Sequence, residues 1–435
     1  MKYSDLLYKI QLVMLSLISV IILSCTNKSP KNYAGLVPDS DNGGITLPEG
    51  FSAIVVADNV GYGRHIAVND NGDVYLALRQ LNNNGAVVAM RDTNNDGRSD
   101  IIKYFGNIVG TGIQIHKGYL YFGADTAIIR YKMVKGELLP ELQYEIIASG
   151  FLKDRQHAAK PFAFDNSGNI YVNVGAPSNA CQTVDRTPGT QGMDPCPILE
   201  RAGGIWRFKD DIPGQDQVKD GYRYVTGLRN CMALEWNFSD NHLYVVQHGR
   251  DQLSQFFPEY FDEDKGVNLP SEEFFILDEG DDCGWPYCYY DNFKNKKVLA
   301  PEYGGDGDIV DRCEQKKKPL IGFPAHTAPN DLIFYTGNMF PAKYNNGAFI
   351  AFHGSWNRAP QEQKGYYVVF VPFINGKPTG GWEVFANGFA GTDHLMSPSD
   401  ALYRPCGLAQ GPDGSLYISD SQKGRIWRVF YNGKK

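Results

Sequence analysis

The stretch Gly227-Leu-Arg-Asn-Cys-Met-Ala-Leu-Glu-Trp236, followed by Leu243-Tyr-Val-Val-Gln-His-Gly-Arg-Asp251, decides the fold. A polar turn carrying Arg229 and Asn230 leads into an apolar, alternating segment. Ser239-Asp240-Asn241 has the composition of a tight turn, and a second apolar run then ends in a polar loop containing Gly249. Alternation bounded by Asn, Asp, Ser and Gly reads as two neighbouring strands with charged groups at one mouth. The pattern returns at Gly63 to Tyr75 with Arg64 at its start, at Gln156 to Tyr171 with His157, and at Tyr403 to Tyr417 with Arg404. Looser copies run from Thr111 to Phe122, and from His326 through Phe334 to Phe352. Repetition of all-β units at this spacing predicts an all-β fold, a six-bladed β-propeller of four-stranded antiparallel blades. The innermost strand of each blade lines the channel of a propeller. Arg64, His157, Arg229 and Arg404 are therefore expected in one ring around its mouth. Three guanidinium groups and one titratable imidazole suit a flat anionic ligand and a proton transfer.

The ends of the chain read differently. Residues 1–24 combine Lys2 and Lys9 with the apolar run Leu12 to Leu23, the pattern of an export signal, here ending at Cys25 in the manner of a lipoprotein. The run is short for a membrane span. Cys25 is the expected lipidation site, residues 25–44 a flexible tether, and residues 45–435 the propeller domain. The expected setting is an exported protein held to the membrane by its lipid alone. Thr26 in place of Asp after Cys25 leans towards an outer membrane, facing the periplasm. A formal net charge of −7 argues against nucleic acid and anionic membrane surfaces as partners. Phe51-Ser-Ala-Ile-Val-Val-Ala57 is expected to pair with the last blade, Leu416 to Phe430. Asp92-Thr-Asn-Asn-Asp-Gly-Arg-Ser-Asp100 has alternating oxygen donors like the start of an EF-hand loop. It lacks the closing Glu and is read as an Asx-rich turn between blades.

Cysteine usage fits an oxidising compartment. Cys181 and Cys196 bracket one Pro- and Gly-rich loop, and Cys288 and Cys313 bracket a polar insertion, so both pairs are predicted as disulfides. Cys231, Cys283 and Cys406 remain, at least one of them free. No CxxC pair supports a zinc site, and the absence of CxxCH means that no c-type haem is attached.

With these residues in view the chain resembles the six-bladed propeller dehydrogenases that use pyrroloquinoline quinone (PQQ). It is similar to the L-sorbosone dehydrogenase type and, more distantly, to the soluble glucose dehydrogenases. The resemblance rests on Gln156-His157, Gly175-Ala-Pro-Ser-Asn-Ala-Cys181, Gly227-Leu-Arg-Asn230, Cys283-Gly-Trp-Pro-Tyr-Cys288, Ala325-His-Thr-Ala-Pro329, His353-Gly-Ser-Trp-Asn-Arg358 and Arg404-Pro-Cys-Gly-Leu408. Together these cover nearly the whole chain after the tether, in order. The resemblance implies hydride transfer from an aldose or sugar aldehyde to PQQ, with His157 as general base and electrons passing on to an external acceptor. It places Arg229 beside the reactive carbonyl, where a cation stabilises charge developing on oxygen. Arg64, Asn230, Arg358 and Arg404 are further candidates for holding the cofactor, and Trp356 for an aromatic wall. It also implies a calcium ion on the backbone carbonyls of Gly249 and Arg250. There the sequence departs from the glucose dehydrogenases, which have Pro after the Gly and acidic residues beyond. His326, His353 and His248 are rivals to His157. Because a fold does not fix a function, a propeller that binds carbohydrate or protein without redox chemistry is the alternative. A calcium-centred lactonase ranks last, because arginines at the strand starts would repel the metal.

Overall fold

The turn that the sequence repeats is the seed of the blades. In Asn69-Asp-Asn-Gly-Asp73, Asp165-Asn-Ser-Gly-Asn169 and Gly411-Pro-Asp-Gly-Ser415 the amide of the first residue donates to the carbonyl of the fifth, at 2.8, 3.1 and 2.8 Å. The fourth residue is glycine each time, with φ of +94°, +79° and +90° for Gly72, Gly168 and Gly414. A side chain there would strain the left-handed backbone. Each turn joins the first strand of a blade to its second.

A computed structural model describes residues 35–153, 155–374 and 376–433. The export segment and Cys25 lie outside the described residues. No helix among the described residues is long and apolar enough to cross a membrane.

Six four-stranded antiparallel blades follow one another. Their innermost strands are Gly63–Val68, Gly110–His116, Phe162–Phe164, Ala233–Asn237, Pro329–Phe334 and Pro405–Gln410. The sixth blade is completed by the other end of the chain, Phe51–Ala57 pairing antiparallel with Ile426–Tyr431, as expected. Gln215–Asp216 adds a short parallel edge to the second blade. Six apolar clusters each bridge two neighbouring blades. Leu234, Val245 and Phe275 meet Ala163, Tyr171 and Ile205 in one of them, and Phe349, Phe370 and Phe385 meet Leu416, Ile418 and Trp427 in another. The fold therefore closes through sheet-on-sheet packing around a ring. The Asx-rich stretch lies within the first blade and not between blades: Asp92 Oδ1 accepts from Asn95 N at 2.6 Å and Oδ2 from Gly97 N at 2.8 Å.

Antiparallel order puts the start of every innermost strand on the same face as the connection between the second and third strands. Three of those connections are long: residues 175–203 in the third blade, 248–271 in the fourth and 353–366 in the fifth. A fourth insertion, residues 278–320, leaves the far face. It climbs back beside the outer strand of the third blade, Gly280 N donating to Tyr224 O at 2.9 Å and Cys283 N to Thr226 O at 3.0 Å. The disulfides Cys181–Cys196 and Cys288–Cys313 staple two of these insertions. Cys231, Cys283 and Cys406 are free and buried.

Candidate functional site

The site grows out of the strand starts. Four innermost strands begin with a register shift, at Gly63/Ile66, Gly110/Gly112, Pro329/Asp331 and Pro405/Leu408. Such bulges re-aim the side chains beside them. Arg64 is the second residue of its strand, Arg404 immediately precedes one, and His157 and Arg229 stand in the turns just before theirs.

Arg229 is the anchor. It is 3 % exposed and donates through Nη1 to Gly249 O at 3.0 Å, and through Nη2 to Asn179 Oδ1 at 3.1 Å and Asp251 Oδ2 at 2.8 Å. Its own amide donates to Gln247 Oε1 at 2.8 Å. Asp251 also accepts from Arg186 at 3.0 Å and from Asn357 Nδ2 at 2.9 Å. Burial opposes its ionisation, but Arg229, His326 and Arg186 prevail and hold its carboxyl down at about 2. Three insertions thus meet on one carboxylate.

His157 has φ of +53°, and its Nδ1–H donates to Ala176 O at 2.5 Å. This bond fixes the tautomer and leaves Nε2 as the lone-pair nitrogen. Burial, reinforced by the Arg229 charge, pushes the imidazole pKa down to about 3, so it is neutral at ordinary pH. Gly175 makes room for it. A Cβ at that position would sit 2.6 Å from both His157 Cβ and Asn230 Oδ1. Asn230 Oδ1 accepts from Asn173 Nδ2 at 3.2 Å, which fixes that side chain beside the histidine.

The other histidines are engaged at both structure and charge. His248 Nε2 meets Pro329 O at 2.7 Å, His353 Nε2 meets Ser421 Oγ at 2.6 Å, and His326 Nε2 meets Gly266 O at 3.0 Å. Burial lowers the pKa of all three.

On the other side of the mouth, Arg64, Arg79, Arg404 and His353 line one cavity of about 230 Å³. The Arg404 guanidinium donates to carbonyls, His353 O at 3.0 Å and Gly354 O at 2.7 Å, while its backbone amide donates to Asp420 Oδ1 at 2.7 Å. Among the described residues none of the three guanidinium groups makes an ion pair, and Arg64 Nε is buried with no partner. Repulsion from Arg64 is the largest influence lowering the Arg79 pKa. Arg64 also helps to lower the pKa of His248 and of His353, as Arg229 does for His157 and His248. Arg64, His157, Arg229 and Arg404 therefore share one electrostatic neighbourhood.

Two candidates fall differently. Arg358 is 1 % exposed. Its donors are taken by Val267 O, by Glu362 O at 3.2 Å and by Asn268 Oδ1 at 3.4 Å. It locks its loop to the end of the helix Glu263–Asn268 and does not join the ring. Trp356 is 54 % exposed, on the rim. Gly249 O is the acceptor for Arg229, and the Arg250 side chain pairs with buried Glu302. Among the described residues no cluster of three His, Cys, Asp or Glu could hold a metal; the carboxylate against this loop is that of Glu272, which accepts from Gly249 N at 2.7 Å. Sequence reasoning missed Arg79, Asn179, Arg186, Asp251 and Asn357.

A family model described as TrAA12-like matches residues 45–432. The chain belongs to the TrAA12-like family. Among curated proteins it is 29% identical over 210 residues to an uncharacterized protein of Borreliella burgdorferi, covering 47% of this chain and 48% of that one. It is 29% identical over 231 residues to a PQQ-dependent pyranose dehydrogenase of Coprinopsis cinerea, covering 47% of this chain and 30% of that one. The matches thus span half or less of the relatives' own lengths. Among solved structures, the PQQ domain of the Coprinopsis cinerea pyranose dehydrogenase superposes with a TM-score of 0.70 at 18% identity, covering 89% of this chain and 97% of that one. The calcium structure of a Trichoderma reesei Carbohydrate-Active Enzymes Family AA12 protein gives 0.72 at 16%, covering 89% and 97%. The soluble aldose sugar dehydrogenase of Escherichia coli gives 0.57 at 16%, covering 88% and 99%. At these identities the structural likeness establishes the propeller fold for this TrAA12-like chain.

Proposed function

We infer that this TrAA12-like propeller is a PQQ-dependent sugar dehydrogenase. The observation that carries the reading is the cavity of Arg64, Arg79 and Arg404. Three guanidinium groups that form no ion pair among the described residues converge on one space, across the mouth from a neutral histidine with a free ring nitrogen. Like charges gathered in one pocket repel, and an anion with several acidic groups relieves that repulsion. A tricarboxylate quinone meets that need, and the names of the Coprinopsis cinerea relative support it.

When bound, PQQ supplies the hydride acceptor. The chain supplies the rest. Arg64, Arg79 and Arg404 would grip the carboxylates, with Asn230 and the exposed Trp356 as further contacts. His157 Nε2 takes the proton of the sugar hydroxyl, and the Ala176 carbonyl holds the ring in the required tautomer. Arg229, pinned by Asp251, Asn179 and Gly249, presents a fixed positive charge close to His157. The Gly249 and Arg250 carbonyls would hold a calcium ion, which would act as a Lewis acid; the calcium structure of a Trichoderma reesei AA12 protein supports this. The substrate class is an aldose or a sugar aldehyde, including the sorbosone-like type, with electrons leaving to an external acceptor. Export and lipid anchoring through Cys25 complete the proposal.

The deciding experiment incubates the protein with PQQ and calcium, removes free cofactor and follows dye reduction with a panel of aldoses and sugar aldehydes. Turnover dependent on PQQ supports the reading. Failure to retain PQQ overturns it and favours a binding propeller.

A further inference from the structure

A second cavity opens beside the arginine ring. It has a volume of about 310 Å³ and is lined by Gln252, Ser254, Gln255, Phe261, Asn357 and Ala359, with two acids, Asp262 and Glu263, at its wall. That volume falls at the lower end of small-molecule sites, roughly 300–1,000 Å³. Its walls come from two of the insertions that build the site, residues 248–271 and 353–366.

Two lining residues tie it to the reaction centre. Asn357 Nδ2 donates to Asp251 Oδ1 at 2.9 Å, and Asp251 is the partner of Arg229. Gln252 Oε1 accepts from Arg186 Nη1 at 2.6 Å, and Arg186 holds the same carboxylate. The cavity is thus two hydrogen bonds from Arg229, on the face where His157 stands. Asn357 Oδ1 is buried without a hydrogen-bond partner, which leaves an acceptor unused.

The chemistry of the lining differs from that of the arginine pocket. No Lys or Arg lines it, so it offers nothing to a tricarboxylate, and Asp262 and Glu263 disfavour any anion. Amides and a hydroxyl both donate and accept, while Phe261, Pro258 and Val267 add apolar surface. Donors and acceptors interleaved with apolar patches match a pyranose, which carries hydroxyls around its edge and C–H groups on its faces.

We propose that this cavity holds the second pyranose unit of a neutral reducing disaccharide or longer oligosaccharide, whose terminal unit reacts beside His157. The placing of the terminal unit rests on the dehydrogenase reading; the binding of the second unit does not.

The test is calorimetric titration of the PQQ-free protein with cellobiose, maltose and glucose, repeated on Ala359→Trp, which fills the cavity, and on Gln255→Ala, which removes an amide at its rim. The wild type should bind at least one of the two disaccharides about tenfold more tightly than glucose. Both variants should lose that advantage and keep the dye-linked glucose turnover of the wild type when loaded with PQQ. Equal binding of all three sugars by the wild type, or a disaccharide preference that survives in both variants, overturns the proposal. Failure of the dehydrogenase reading looks different: PQQ is not retained and no sugar is oxidised, while the calorimetric preference still decides the second site.

Discussion

Arg229 donates to Asp251 at 2.8 Å, and the two are sealed from solvent at 3 % and 8 % exposure. Breaking a buried pair by removing one charge typically costs about 3–5 kcal/mol, because the survivor stays buried without its partner. Asp251→Asn should therefore lower Tm clearly and release Arg229 from Gly249 and Asn179. The pair also sets an acid limit. The Asp251 pKa falls from 3.8 to about 2 on folding, so its stabilisation is complete above the unfolded value and lost as pH falls through the folded one. That shift corresponds to roughly 2 kcal/mol. Denaturant melts between pH 5 and pH 2 should show this loss in the wild type and a flatter profile in Asp251→Asn; parallel profiles would remove Asp251 from the account.

His157 is the residue on which turnover should depend most. General bases contribute about 10²–10⁴-fold, so His157→Ala should cut kcat by at least two orders of magnitude and leave PQQ retention unchanged. The ring is kept neutral by burial and Arg229, down to about pH 3. The sign follows: the base form is present above that pH, so kcat/KM should show no acid limb near 6.5 from this group. A limb near 6.5 that disappears in His157→Ala would contradict the geometry found for the ring.

How far this site could be read from the sequence depends on how its residues are held. Arg64, His157, Arg229 and Arg404 stand at strand starts, and each precedes an apolar run closed by a tight polar turn rich in Asn, Asp, Ser or Gly. Local pattern suffices to align them, and the closure by Phe51–Ala57 follows from the same pattern. Asp251, Asn179 and Asn357 are brought together by three insertions, at sequence separations of 72 and 106 residues from Asp251. No periodicity encodes such a meeting. Arg358 shows the converse. Its motif places it near the ring, but the helix Glu263–Asn268 offers carbonyl acceptors at its end and takes the guanidinium. Arg79 was hidden because it lies in the second strand of its blade, away from any strand start.

The insertion at residues 278–320 delivers two charges beneath the site. Lys297 Nζ reaches Glu273 Oε2 at 2.5 Å, Glu273 accepts from Gln247 Nε2 at 2.7 Å, and Gln247 in turn accepts from the Arg229 amide. Glu302 pairs with Arg250, both buried. Glu302→Ala should leave Arg250 unpaired, lower Tm, and shift the Gly249–Arg250 carbonyls. Calcium-dependent PQQ retention should then weaken more than calcium-independent retention. Opening the disulfide with Cys313→Ser should act in the same direction, since a cross-link over 25 residues contributes about 3 kcal/mol in the loop-entropy account. Retention of PQQ indifferent to both changes would mean that the insertion only covers the blade edge.

Arg79 offers the sharpest separation of a binding role from a structural one. It makes no ion pair among the described residues, and repulsion from Arg64 outweighs the attraction of Asp125 at its guanidinium. In the cofactor-free protein the two cations repel, so Arg79→Gln should leave Tm unchanged or raise it. With PQQ the sign reverses, because a guanidinium that would hold a carboxylate is lost. The Kd should rise by about tenfold, equivalent to about 1.4 kcal/mol, and the salt dependence of binding should become shallower. Arg79→Lys keeps the charge without the fork and should fall between the two. A residue that merely supported the first blade would behave in the opposite way, lowering Tm and leaving Kd where it was. Thermal melts with and without PQQ on these two variants distinguish the cases in a single series.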